Sequence, residues 1–324
     1  MKPAPFEYYA PSSLPDAVDL LSRLDADGCD MKIIAGGQSL MPMLALRVAR
    51  PDALVDLRLL EDLDYIRKED DGTLAIGAMT SKQAAADSPL VRSAQPLFQA
   101  ATELVGHRQI RNRGSVGGSF AHADPASEYP AVALVLDTEF DAIGPDGLRR
   151  IRAADFFVTY MTTALEPTEI LTAVRFAPFP SGRRWAIQEF ARRNGDLALA
   201  GVALAFDIQA GLCRDVRIAA FGVEATAVRL TAAEQMLEGR PAQPIAFEDA
   251  GKIAAAALDD PMSCIHASSD YRRHLIGVLT ARALGEAAAR THWPNNSGRH
   301  TWRAHSASKS GSMKRHTSVR WSPA

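Results

Sequence analysis

RNRGSVGGSFAHADPASEYP, residues 111–130, is the stretch from which the rest of this chain is best read. At its centre stand Gly114, Ser115, Val116, Gly117, Gly118 and Ser119. Paired glycines let a backbone pass through positive φ and approach a ligand with no Cβ in the way. Ser115 and Ser119 flank the pair with hydroxyls, and successive outward N–H groups in such a turn form a nest for an anion. A second segment of the same kind lies upstream, where Ala35, Gly36, Gly37, Gln38, Ser39 and Leu40 follow the run 31–34. Two glycine–serine loops suffice to hold the two phosphates of one dinucleotide. Neither is a G-x-G-x-x-G fingerprint opening a helix, and no G-x-x-x-x-G-K-[ST] loop occurs. Spacing alone therefore marks a candidate nucleotide cradle, and either pair taken singly reads as a turn.

Composition sets the frame around these loops. The chain has 324 residues, about two domains' worth, with 47% hydrophobic residues and a formal net charge of -2. That leaves room for a sizeable core and gives no global signal for nucleic acid. No apolar run reaches the length of a membrane span, and the opening MKPAPFEYYAPSSLPD has no apolar segment of the kind that marks a secretory signal. Cys29, Cys213 and Cys264 are scattered and odd in number, which predicts free thiols in a reducing, cytoplasmic compartment.

Along the chain, Ser13 is placed to cap a helix with Pro15 and Asp16 in its first turn, and Ala17, Leu20, Leu21 and Leu24 form its apolar stripe. Strands are predicted over 31–35, 53–57, 74–78, 138–143, 148–151 and 172–176, with a turn at 144–147. Residues 39–50 read as mixed helix stopped by Pro51, residues 84–105 as helix broken at Pro89 and Pro96, and residues 130–136 as a buried helical turn. Arg108, Arg111 and Arg113 precede the second glycine segment, either as a solvated basic edge or to neutralise diphosphate or a partner's acidic surface. Residues 178–182 form a linker-like Pro/Gly cluster. Beyond it, strands over 198–208 and 216–223 and helices over 232–237, 247–258 and 271–289 suggest a small sheet with helices on one side. After residue 290 three of the four tryptophans and four of the eight histidines sit among basic residues and serines with no acid, which predicts a disordered tail.

The wording of the segments is more specific than their spacing. AGGQSLMPMLALR (35–47), QIRNRGSVGGSFAHADPASEYPA (109–131) and DYRRHLIGVLTARAL (270–284) together resemble the medium, FAD-binding subunit of the molybdenum hydroxylases, the xanthine dehydrogenase and aerobic carbon monoxide dehydrogenase group. The resemblance implies an α+β fold. A PCMH-type FAD-binding domain of two α/β subdomains would occupy residues 1–177, and a smaller C-terminal α+β domain with a small antiparallel sheet and helices would occupy 178–289, followed by the basic tail 290–324.

It also implies site residues. Ile33, Ile34, Ala35, Gly36, Gly37, Gln38, Ser39 and Leu40 match the family's first loop, whose amides contact the FAD diphosphate. Ser115, Val116, Gly117, Gly118 and Ser119 match the second; the family commonly has Thr at the first of these positions and often Asn at the last, so Ser115 keeps the hydroxyl while Ser119 is shorter. Glu128 stands where the family has an acid near the flavin and its ribityl chain, and Leu171 matches a residue that packs on the cofactor. Glu189 stands where some relatives have a Lys near the isoalloxazine, with the charge reversed, and Asp124 before Pro125 either meets cofactor or caps a turn.

No residue set resembles a protein-borne catalytic apparatus, and His107, His122, His266 and His274 are not spaced as metal ligands. The resemblance accounts for this, since the flavin would carry the redox chemistry and the protein would supply binding and orientation. It implies a large partner chain with molybdopterin, a small partner chain with [2Fe-2S] centres, and an assembly of two such heterotrimers. A stand-alone FAD-dependent oxidoreductase would need its own substrate pocket with acid–base groups, and a nucleotide-binding assembly protein would need none; both remain as alternatives.

Overall fold

The computed structural model describes residues 2–290, so the tail after Arg290 lies outside the described residues. The chain opens with β1 (Glu7–Tyr9), α1 (Leu14–Ala26), β2 (Met31–Ile34), α2 (Leu40–Ala45) and β3 (Ala53–Asp56). β1, β3 and β2 lie side by side in that order as a parallel sheet. The predicted cap of α1 forms: the Ser13 hydroxyl accepts the Asp16 N–H at 3.2 Å. Ala17, Leu20 and Leu21 are buried as their helical spacing predicts, and they pack with Val55 and Leu57. The helix predicted to run to residue 50 is cut short, because Arg47 adopts φ 57 and turns the chain back into β3.

A second, antiparallel sheet is built from β4 (Ile66–Lys68), β5 (Leu74–Gly77), β6 (Glu139–Gly144), β7 (Gly147–Arg152) and β10 (Ile170–Phe176), in the order β4-β5-β10-β6-β7. Between β5 and β6 run six helices: α3 (Lys82–Asp87), α4 (Pro89–Ala94), α5 (Pro96–Leu104), α6 (Arg108–Arg113), α7 (Val116–His122) and α8 (Glu128–Val135). The prolines break this helical stretch where the sequence places them, each entering the first turn of the next helix. α9 (Ala153–Phe156) and the two-stranded ribbon of β8 (Phe157–Thr159) and β9 (Thr162–Thr163) lead into β10. That strand begins two residues earlier than its periodicity suggests, so Leu171 lies within the sheet rather than before it.

The third sheet is β11 (Arg184–Phe190), β12 (Ala200–Gln209), β13 (Leu212–Phe221) and β14 (Val228–Arg229), antiparallel throughout, covered by α10 (Thr231–Leu237), α11 (Pro244–Ala256) and α12 (Ser269–Ala289). The fold is therefore α+β, and its C-terminal part is a small antiparallel sheet with helices, as the resemblance implies. β11 escaped the sequence reading because RWAIQEF mixes charges with apolar residues on an edge strand bonded to β12 alone.

Two large cores result. One packs the sheet of β11–β13 against α11 and α12. The other runs across the exposed linker 178–182, joining Phe98, Phe120, Tyr129 and Phe140 to Trp185, Ala203 and Phe221. Its aromatic spine is tight, with Phe98–Tyr129 at 4.9 Å and Phe140–Phe156 at 4.0 Å between ring centroids. α8 is the joint: it lies on α5 from one side and on β12 and β13 from the other.

Candidate functional site

A cavity of about 380 Å³ opens where β2, α7 and β10 meet. Every residue from Ile33 to Leu40 lines it, as do Ser115, Gly117, Gly118, Ser119 and Leu171. Segments about 75 residues apart in sequence are thus brought to one wall. Two predicted residues are not in the lining. Val116 is wholly buried in the larger core, and Glu128 is buried in the first turn of α8.

The two glycine segments make their walls differently. Residues 35–40 leave β2 as an irregular turn in which Gly37 adopts φ 71. Among the described residues, none of the six backbone N–H groups from Ala35 to Leu40 donates to a protein acceptor. These residues are half-buried or exposed, so their donors face the cavity or water, and such a row fits a bound anion. The Gln38 amide folds back on the Gly36 carbonyl at 3.1 Å, which fixes the turn from within.

The second segment was expected as a loop of the same kind, and it is instead a helix start. Ser115 caps α7, its Oγ accepting the Gly118 N–H at 3.1 Å. The Val116 and Gly117 N–H groups donate to the carbonyls of Thr80 and Ala78, and that of Ser119 to the Ser115 carbonyl. These amides are satisfied within the protein, so this segment gives the cavity its hydroxyls and a thin surface rather than a second nest. Neither Gly117 nor Gly118 is in the positive-φ region. What Gly117 supplies is closeness: a Cβ there would stand 2.4 Å from that of Ala78.

The two walls touch. A Cβ on Gly36 would stand 2.0 Å from the Arg113 carbonyl oxygen and 2.7 Å from the Gly114 Cα. Only glycine lets the free amides lie this near the start of α7. Much of the remaining lining is apolar, with Ile34, Leu57, Met79, Leu165, Ile170 and Leu171, beside the charged or titratable Lys32, Lys82, His122 and Glu169. A row of unpaired donors in a cavity with much apolar lining is chemically suited to a ligand with an anionic linkage and a flat, weakly polar ring system, which is what FAD presents.

The arginines before the second segment do not reach the cavity. Arg111 donates to the carbonyls of Glu103, Val105 and Gly106 and to Gln83 Oε1, so it clamps the end of α5 onto α3 and α6. Arg108 pairs with Asp87 at 3.6 Å. Asp124 caps a turn, its Oδ1 accepting the Ala126 N–H at 2.9 Å.

Titratable groups in the lining and in the elements around it are held in unusual states. Burial pushes the Glu128 carboxyl up to about 7 despite Lys82 nearby. Burial, and secondarily Glu128, push Glu189 up to about 8, and its Oε2 is buried without a hydrogen-bond partner. The His122 imidazole, in the lining, is lowered chiefly by desolvation. Sequence reasoning missed His122, Met79 and above all Lys82, which is 8% exposed and lines the cavity. A lysine one residue after a helix cap carries no sequence signal of burial. Among the described residues no group of His, Cys, Asp and Glu could hold a metal ion, and no helix is long and apolar enough to cross a membrane.

Residues 4–179 match the family model of the FAD binding domain in molybdopterin dehydrogenase, and residues 185–287 match that of the CO dehydrogenase flavoprotein C-terminal domain. The carbon monoxide dehydrogenase medium chain of Hydrogenophaga pseudoflava is 37% identical over 290 residues, covering 90% of this chain and 99% of that one. The nicotine 6-hydroxylase medium subunit of Paenarthrobacter nicotinovorans is 40% identical over 298 residues, covering 90% and 100%. A solved structure of carbon monoxide dehydrogenase from Hydrogenophaga pseudoflava, lacking the Mo-pyranopterin moiety of its cofactor, superposes with a TM-score of 0.85 at 37% identity, over 89% of this chain and 99% of that one.

Proposed function

The chain belongs to the family of FAD-binding medium subunits of the molybdenum hydroxylases, and from that premise we propose that it relays electrons from [2Fe-2S] centres on a small partner chain to an external acceptor. The substrate would be oxidised at a molybdopterin site on a large partner chain, in a cytoplasmic assembly of two heterotrimers. Bound FAD supplies the redox chemistry, accepting and releasing electrons singly or in pairs.

This chain's own residues bind, orient and shield. The amides of Ala35 to Leu40 take the diphosphate, while Ile33 and Ile34 deliver that turn from the end of β2. Ser115 and Ser119 offer hydroxyls from the start of α7, Val116 anchors it in the core, and Gly117 and Gly118 keep its surface thin. Leu171, in the cavity lining, would pack against the cofactor from the sheet, and Glu128, outside that lining and raised to about 7 by burial, would act on the flavin through the electrostatics of the first turn of α8. We assign residues 1–177 to FAD binding and residues 178–289 to the C-terminal domain, whose sheet supports α8.

The observation that carries this reading is the row of six unpaired amides at the cavity wall. Purified chain should be yellow, release about one FAD on denaturation, and oxidise no organic substrate alone. Co-expressed with iron–sulfur and molybdopterin partner chains, it should elute as one complex containing flavin, iron and molybdenum. A colourless chain that takes up no FAD, or a monomer that oxidises substrate without molybdenum, would overturn the proposal.

A further inference from the structure

Lys82 is the residue whose placement the site so far leaves unexplained. It opens α3, follows the cap Ser81, and is 8% exposed with its side chain in the cavity lining. Its helix gives no reason for a cation there, since the first turn favours acids. Among the described residues its ammonium makes no ion pair or hydrogen bond; its recorded contact is the face of the Tyr129 ring, at 5.5 Å from the centroid. Glu128 is close enough to act on Lys82 electrostatically but makes no salt bridge with it. Burial of a cation without a partner costs several kcal/mol in proteins, so its retention requires a compensating anion.

Its neighbours say where that anion lies. The Lys82 N–H donates to the Gly114 carbonyl at 2.8 Å, which pins α3 to the start of α7. A Cβ on Gly114 would stand 3.6 Å from Lys82 Cε and 3.6 Å from Gln38 Cγ, while Gly36 presses on the same Gly114. The Lys82 side chain and the segment that carries the free amides therefore both close on a single glycine, Gly114, and both line the same cavity. We propose that Lys82 is the cationic ligand of the FAD diphosphate, completing with its ammonium the anion site that the amides of residues 35–40 begin. This rests on the assignment of the cavity to FAD and adds to it the group that balances the ligand's charge.

Burial pulls the Lys82 ammonium down to about 8, with Glu128 opposing. Asp124 and His122 complete the charged surroundings on the neighbouring elements. A diphosphate in contact would hold the ammonium charged. Glu128, raised to about 7 by its own burial, is only partly ionised near neutrality and makes no salt bridge with Lys82, so it is a poor counterion in its place.

The test compares apo forms of wild type, Lys82→Met and Lys82→Arg by FAD titration, thermal melting, and the midpoint potential of the bound flavin. Lys82→Met should bind FAD roughly 10- to 100-fold more weakly, the loss of one charge-assisted hydrogen bond. Lys82→Arg should stay within about threefold of wild type, since it keeps the charge. Apo Lys82→Met should melt no lower than apo wild type, because an apolar side chain replaces an unpaired buried charge. Wild-type FAD affinity in Lys82→Met, an equal loss in both variants, or a lower melting point for apo Lys82→Met would overturn the assignment. A midpoint potential in Lys82→Arg displaced by more than about 30 mV, about a tenfold change in relative affinity for the oxidised and two-electron-reduced forms, would place the ammonium against the ring instead and also overturn it. Failure of wild type to bind FAD would refute the cofactor assignment itself, so the two ideas fail separately.

Discussion

Gly36→Ala puts the contact between the two walls to the test. The added methyl would lie 2.0 Å from the Arg113 carbonyl oxygen and within 2.8 Å of two further backbone atoms, whereas ordinary contact begins at 3.4 Å. No flexible side chain is there to yield, so residues 113–114 and the turn at 35–40 must separate. Overpacking of this kind costs about 1–3 kcal/mol, and rigid neighbours place it near the upper end. For a chain of this size that lowers the melting point of the apo protein by roughly 5 °C. The effect on FAD should be larger. Separation moves the free amides off their positions, and losing two hydrogen bonds to a charged group, at about 1.5–3 kcal/mol each, weakens binding by about 10²- to 10⁴-fold. The measurement is FAD titration of the apo protein with melting of the same sample. Gly28→Ala is the control: its φ of 69 carries a left-handed penalty that Gly36 does not have, but a Cβ there meets nothing within 4 Å. It should lose stability and keep wild-type affinity for FAD. Gly36→Ala protein that binds FAD as tightly as wild type would refute the view that the two segments form one cradle.

Gly117→Ala should destabilise the apo chain by about 1–3 kcal/mol, because its Cβ would strike Ala78 at backbone and side chain alike; an unchanged melting point would show that α7 shifts freely. The Glu128 carboxyl is pushed up to about 7 from an ordinary 4.5, so its neutral form suits the fold and stability falls as pH rises from 4.5 through 7. Urea unfolding of the apo chain from pH 5 to 8 should show a loss approaching about 3 kcal/mol that Glu128→Gln largely removes. Glu189 acts with the same sign and leaves a residual slope. A variant as pH-dependent as wild type would place the effect on other groups.

Much of this protein was written locally in its chain. Ser13, Pro15 and the stripe of Ala17, Leu20 and Leu21 specify α1, and Pro89 and Pro96 cut the following helices, because capping and proline geometry act within a few residues. The glycine–serine segments announced a cradle for the same reason. Which amides stay free was decided by tertiary structure. Val116 and Gly117 find acceptors in Thr80 and Ala78, nearly forty residues upstream, while Ala35 to Leu40 find none. A hydrogen-bond donor looks identical in sequence whether or not a distant carbonyl reaches it. Leu171 looked like the residue before a strand until pairing of Ile170 with Ile143 carried β10 further back. Lys82 looked like any lysine on a short helix. Gly114, Tyr129 and the end of β2 come around it only when the chain is folded, and burial without a partner is a property of that surrounding rather than of the residue.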